Sequence, residues 1–279
     1  MVTDLDAPLV KFSADPRDWW TLRDAVRGVQ IFGGIGSGKS SGSGRTLALS
    51  FLKAGFGGLV LARHFAADSS PEVMPEATFD GKIVILDFPV KQFLQVGVYA
   101  QAVYKRVWQQ AVERRDADAN PRPVFLWVDE AQYFLGEDDM MFQTTARSSR
   151  ACTVMISQNI SNYYAGVGGA HPRERVDSLL GNLATKVFHG NNDHVTNKWA
   201  AETIGQTFQE KSSYSIGTME NASFSKALHF QVEPQEFTLL RGGGHAGGGT
   251  VEAVVTSAGK RWSNGRNYTE VSFDQNLRP

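Results

Sequence analysis

The sequence predicts an α/β fold, with a mostly parallel central sheet flanked by helices and antiparallel strands near the C-terminus. Two observations predict it. Short, β-prone apolar runs alternate with longer stretches of helical periodicity, the pattern of parallel strands joined by crossover helices. One of those runs leads directly into a glycine-rich loop followed by a helix, an arrangement suited to holding phosphates.

In chain order, residues 1–28 form a polar approach with Trp19 and Trp20 as packing anchors. The first predicted strand is Val29-Gln30-Ile31-Phe32. It runs into Gly33-Gly34-Ile35-Gly36-Ser37-Gly38-Lys39-Ser40, which satisfies the phosphate-binding pattern G-x-x-x-x-G-K-[ST] at every fixed position. Residues 41–53 then read as a helix carrying Leu47, Leu49, Phe51 and Leu52, closed by Gly55. Glycines let backbone N–H groups turn toward one anion, and the helix adds its unpaired N-terminal donors. There Lys39 reaches the outer phosphates of ATP, and the Ser40 hydroxyl ligates Mg²⁺. Gly33, Gly34, Ile35, Gly36, Ser37, Gly38, Lys39, Ser40 and Ser41 form the nucleotide-binding set. The run Ser41-Gly42-Ser43-Gly44 also has the composition of a flexible linker.

Gly58-Leu59-Val60-Leu61-Ala62 is the second predicted strand. Residues 68–81 contain two prolines and no periodicity, and read as a loop. Residues 82–87 give a third strand. Residues 98–115 give a helix with Ala100, Val103, Val107 and Ala111 on one apolar face, ended at residues 116–121. Further strands are predicted at 124–128, 153–156 and 186–188. The character changes after about residue 207, where 212–217 and 227–232 read as exposed antiparallel strands. The glycine-rich residues 242–249 read as a mobile connection before a strand at 251–256. The chain thus reads as one nucleotide-binding domain over 1–279, with 207–279 as a β-rich extension.

The strand at 124–128 ends in Asp129-Glu130. A strand-end aspartate is suited to holding Mg²⁺, and the adjacent glutamate to polarising the attacking water. Gln158 follows the 153–156 strand, placed to sense the terminal phosphate; Ser157 or Asn159 suits a helix cap. Arg147 and Arg150 lie in a polar segment upstream, and arginine is suited to bidentate phosphate contact from a neighbouring subunit. His189 and His194 flank turn residues and make no metal site.

Composition bounds these readings. In 279 residues, 42% are hydrophobic and 20% charged, which suits a globular protein with a sizeable core. The formal charge of −1 gives no global basic field, so any DNA contact must come from local patches or from a pore built by several subunits, with Lys211, Lys226, Lys260 and Arg261 as candidates to face such a channel. The lone Cys152 excludes an internal disulfide and suits a reducing compartment. No stretch approaches the roughly 18–20 apolar residues of a membrane helix, and residues 1–6 lack signal-peptide character. The expected location is the cytoplasm, at the inner membrane face through partners.

The motifs resemble, in order, those of the TraG/TraD-type coupling proteins of conjugation and type IV secretion, within the FtsK/HerA group. They are residues 33–40, 83–91, Val128-Asp129-Glu130-Ala131-Gln132, 142–147, Ile156-Ser157-Gln158-Asn159, and 180–186 followed by Asn191-Asn192-Asp193 and Thr196-Asn197. The resemblance implies a RecA-like P-loop motor that forms a homo-hexamer and couples ATP hydrolysis to DNA translocation. It implies Lys39, Glu130, Arg147 and Gln158 as catalytic, Arg150 as the alternative finger, and Ser40 and Asp129 as Mg²⁺ ligands. Secretion-channel and relaxosome proteins are the implied partners. Two family features have no counterpart here: N-terminal membrane helices, and an all-helical domain where this chain has residues 68–81. A nucleotide-binding regulatory or assembly module without translocation is the alternative. A DEAD-box-type helicase, suggested by Asp129-Glu130-Ala131-Gln132, needs a second arginine-bearing domain that the remaining sequence does not show.

Overall fold

The computed structural model describes residues 1–62, 74–87, 90–215, 221–244 and 248–276. Strands β1 (Pro8–Lys11) and β2 (Trp19–Thr21) pair as a small hairpin, and a single helical turn α1 (Leu22–Ala25) leads to β3 (Val29–Phe32). A wide π-type turn over Ser40–Gly44 precedes α2 (Arg45–Lys53), followed by β4 (Gly57–Ala62), β5 (Ile83–Asp87) and the long helix α3 (Val90–Arg114). The second half of the main layer holds β6 (Val124–Val128), α4 (Glu137–Thr145), β7 (Ala151–Ser157), α5 (Ile160–Val167), α6 (Pro172–Asn182), β8 (Thr185–His189) and α7 (His194–Ile204). Strands β9 (Gln206–Ser215) and β10 (Asn221–Phe230), a short α8 (Glu236–Leu239), β11 (Thr250–Ser257) and β12 (Tyr268–Asp274) complete it.

The main sheet has eight strands in the order β12-β11-β8-β3-β7-β6-β4-β5. Strands β3 to β8 are mutually parallel, and β11 and β12 extend one edge in antiparallel fashion. Alternate residues divide between two cores. Phe32, Leu126, Met155 and Phe188 face the layer of α3 to α7, while Ile31, Phe125, Val154 and Val187 face α2 and the N-terminal hairpin. This two-sided burial is why the strands read as continuous apolar runs. Trp20 is fully buried, stacks on Phe51 and donates its indole N–H to Thr185 Oγ1 at 3.2 Å; Trp19 is only half-buried, beneath Lys11. Strands β9 and β10 pair with each other as a separate hairpin.

Three sequence expectations change. The helix expected over 98–115 begins at Val90, because Gly97 weakens but does not stop a 25-residue helix. Its buried face is also different: Gln101, Lys105, Trp108, Gln109 and Val112 point inward, while Val103 and Val107 are exposed. Polar residues can be buried there because they pair. Lys105 Nζ reaches Asp139 Oδ2 at 2.5 Å and the Phe134 carbonyl at 2.6 Å, and Gln109 donates to Asp139 Oδ1 at 2.8 Å, tying α3 to the start of α4.

The helix expected over 41–53 is α-helical only from Arg45. Before it, Gly44 N–H donates to the Lys39 carbonyl at 2.8 Å, widening the turn by a residue. The glycines there serve packing, since a Cβ on Gly42 would lie 2.3 Å from Val251 Cγ2. The flexible-linker composition of 41–44 is therefore a packed turn. In the expected loop 68–81, Pro75–Asp80 forms a 3-10 turn and the rest up to residue 73 lies outside the described residues. The runs expected at 212–217 and 242–249 fall partly outside them too, at 216–217 and 245–247.

Candidate nucleotide site

Four loops leave the same end of the parallel strands and meet. Residues 33–40 follow β3, Asp129-Glu130 follow β6, Gln158 follows β7 and Gly190 to Asp193 follow β8. Strand β3 lies between β7 and β8, and crevices at such strand ends are where α/β sheets bind ligands. A cleft of about 430 Å³ opens there, lined by Gly34, Ile35, Gly36, Ser37, Gln158 and Asn191 among others.

The loop is built to receive an anion. Gly38 sits at φ +80°, which L side chains rarely adopt, and a Cβ there would meet Val251 Cγ1 at 2.4 Å. Gly36 has open space on its outer side. The Ser37 hydroxyl is buried without a hydrogen-bond partner. Gly34 N–H donates to the Gly190 carbonyl at 2.9 Å, fastening the loop to the end of β8. Ser40 and Ser41 are exposed at the start of the π-type turn, and Ser41 Oγ accepts from Gln275 Nε2 at 2.6 Å. The residues present fit a phosphate ligand: an orphaned hydroxyl, an open glycine cradle and a lysine at its end.

Asp129 and Glu130 do not line the cleft but are linked to its floor. Glu130 adopts φ +52°, unusual for a non-glycine residue, and its backbone N–H donates to Asp129 Oδ1 at 3.0 Å. Gln132 Nε2 donates to Glu130 Oε2 at 2.6 Å, and Gln132 Oε1 accepts from Ser157 Oγ at 2.8 Å. The Ser157 carbonyl in turn accepts from Gly33 N–H at 3.3 Å. One hydrogen-bonded path therefore runs from the Glu130 carboxylate to the first loop glycine. Replacing Gln132 with Leu keeps its volume but removes both side-chain bonds. Turnover is expected to fall about tenfold with KM little changed, checked by steady-state ATP hydrolysis.

Gln158 lines the cleft, and Asn191 Nδ2 donates to its carbonyl at 2.8 Å. The cap falls to Asn159, whose Oδ1 accepts from Asn162 N–H at 2.7 Å at the start of α5. The two arginines separate. Arg147 is exposed in the turn before β7, at the opposite end of the sheet from the loop, so it does not reach the nucleotide site of its own chain. Arg150 is held at φ +49° and donates through Nη1 to the Thr3 and Pro121 carbonyls at 3.0 and 3.3 Å, a structural role.

Two features escaped the sequence reading. Gly243 N–H donates to the Gly36 carbonyl at 2.8 Å and Gly242 lines the cleft, so the described part of the glycine-rich connection is docked on the phosphate loop. His189 lies buried beneath the loop. Its Nδ1–H donates to the Glu252 carbonyl at 3.0 Å, since a carbonyl only accepts, which leaves Nε2 to accept from the Ser43 hydroxyl at 2.7 Å. No local signal marks either; both depend on strands brought together from distant parts of the chain. Among the described residues no group of three or more histidine, cysteine, aspartate or glutamate side chains is placed to hold a metal ion.

Burial, with the charge of Lys39 nearby, pushes the His189 imidazole down to about 4. The unfolded chain takes up this proton near pH 6.5 and the folded chain does not. Stability attributable to His189 is thus complete above about pH 6.5 and lost as the pH falls toward 4, up to roughly 3 kcal/mol. Urea unfolding at pH 7 and pH 4.5 is expected to show this loss, and His189→Gln to lose much of the difference.

Residues 123–239 match the family model described as the TraM recognition site of TraD and TraG. No curated protein sequence matches the chain. Among solved structures, the fold is similar to the bacterial conjugative coupling protein TrwB lacking its first 70 residues, with TM-score 0.70, 13% identity, and coverage of 94% of this chain and 89% of that one. The plasmid coupling protein TrwB in complex with ADP and Mg²⁺ is similar at TM-score 0.69 and 12% identity, covering 94% and 88%. The DNA-packaging ATPase B204 of Sulfolobus Turreted Icosahedral Virus is similar at TM-score 0.53 and 11% identity, covering 89% and 98%. These likenesses show a fold shared with coupling proteins and packaging ATPases. Among the described residues no helix is long and apolar enough to cross a membrane.

Proposed function

We propose that this chain is a TraG/TraD-type coupling protein and an ATP-hydrolysing DNA motor of conjugative transfer, a reading supported by the family match over residues 123–239 and by the fold it shares with TrwB. The observation that carries this reading is the convergence of the phosphate loop and Gln158 on one cleft, with Glu130 tied to its floor through Gln132 and Ser157. The backbone amides of residues 33–40 and Lys39 bind and orient the phosphates of ATP. Ser40 and Asp129 are the residues that would hold Mg²⁺, which when bound neutralises phosphate charge. Gln132 holds Glu130 so that its second oxygen can take a proton from a water aligned with the terminal phosphate. Gln158 donates to that phosphate from the cleft wall.

Arg147 belongs to the neighbouring subunit's reaction in this reading, which explains its place at the far end of its own sheet. A homo-hexameric ring supplies the geometry, DNA passes through it by charge and backbone contact, and residues 123–239 offer the surface for relaxosome and channel partners. Mixing tests the arrangement. Lys39→Ala lacks a working phosphate loop and Arg147→Ala lacks the finger, so each alone is inactive. Mixed rings place an intact loop against an intact arginine, and turnover is expected above the sum of the separate proteins. No recovery, in mixtures shown to co-assemble, overturns the role of Arg147 in trans.

A further inference from the structure

At the end of the sheet opposite the phosphate loop lies a second pocket of about 370 Å³. It is lined by Lys186, Lys260 and Arg261 together with Thr203, Thr256 and Ser257, and no carboxylate is among its lining residues. The topology produces it. Lys186 is the second residue of β8 and pairs with Thr256 near the end of antiparallel β11, so the β11–β12 turn carrying Lys260 and Arg261 folds over the start of β8.

The three cations differ in how they are held. Lys260 is neutralised within the protein, with Asp24 Oδ2 at 3.0 Å and the Trp19 carbonyl as acceptors. Arg261 is exposed and, among the described residues, donates only its Nε–H, to the Gly265 carbonyl at 3.0 Å, so the rest of its donor fork is open to a ligand. Lys186 is 7% exposed, and its ammonium donates to the Leu183 carbonyl at 2.5 Å; among the described residues it makes no ion pair. Burial and then the neighbouring Arg27 charge push it down to about 8. A buried ammonium has three donors to satisfy, and here it has neither a full set of acceptors nor a counter-charge. An anion is the component that completes such a site, and the pocket has room for one.

We propose that this pocket is a second anion-binding site of the chain, in which Lys186 and Arg261 hold a phosphate group presented either as a free anion or as a phosphodiester of a nucleic-acid strand. The site stands on its own geometry and does not require that the first cleft hydrolyse ATP. If the phosphate belongs to nucleic acid, it places the strand on the sheet end away from the nucleotide.

The test measures inorganic phosphate binding by calorimetry and binding of a fluorescein-labelled 12-nucleotide strand by anisotropy. Both use the full chain carrying Lys39→Ala, so that the phosphate loop does not dominate, and then the same chain with Lys186→Met or Arg261→Ala added. At least one ligand is expected to weaken fivefold or more with each addition. Loss confined to the oligonucleotide assigns the site to nucleic acid, and the slope of log affinity against log salt should then fall by about one per contact removed. Loss confined to phosphate assigns it to a free anion. Arg261→Ala alters only the exposed turn, and it decides the matter alone if Lys186→Met does not fold. Unchanged affinity for both ligands overturns the proposal. So does a Lys186→Met protein that only loses thermal stability, which would make Lys186 a cap for the Leu183 carbonyl.

Discussion

Lys39→Ala is expected to weaken ATP binding by about a hundredfold and to remove measurable hydrolysis. The loop amides remain after the change, so the loss is that of one cation aimed at the phosphates. The fold is expected to survive. Lys39 is partly exposed, and the turn behind it is held by Gly44 N–H on the Lys39 carbonyl and by Ser43 on His189, neither of which uses the lysine side chain. Titration of a fluorescent ATP analogue, with far-UV circular dichroism as the folding control, checks both halves of the expectation. Binding at full strength would remove Lys39 from the site.

Glu130→Gln is expected to separate binding from chemistry. Glutamine keeps the size of the side chain and a partner for Gln132, but it cannot accept the proton of the attacking water. Turnover is expected to fall by roughly 10²–10⁴-fold while ATP affinity stays within a few-fold of the parent. Single-turnover hydrolysis with a parallel binding isotherm reads the two quantities separately. Full turnover in Glu130→Gln would move the proton-accepting role elsewhere. Asp129 is then the next group to examine, since its Oδ1 already accepts from the Glu130 N–H.

The glycine-rich loop after β3 was legible as a candidate phosphate site because the pattern is local. Eight consecutive residues must supply backbone freedom, a cation and a hydroxyl, and nothing outside them is needed to recognise the pattern. The parallel strands were legible because burial on both faces leaves unbroken apolar runs, as at Val124–Val128. In helix α3 the apolar face is not the buried one. Lys105 and Gln109 are buried through their bonds to Asp139, thirty or more residues away, and that pairing has no signature within the helix. The contacts of His189 and Gln132 have no local signature for the same reason, since each acts through a partner supplied by a distant part of the chain. Residues 242–244 gave a composition that suits a mobile loop, and only the fold brings Gly243 onto Gly36.

The most direct test of the central claim is ATP turnover by the purified chain, measured with and without single- and double-stranded DNA across a range of protein concentrations. A motor whose sites are completed by a neighbour's Arg147 is expected to show turnover that rises with DNA and rises more steeply than linearly with protein. Nucleotide binding with little hydrolysis, indifferent to DNA and to protein concentration, would contradict it and leave a regulatory or assembly module in place of a motor.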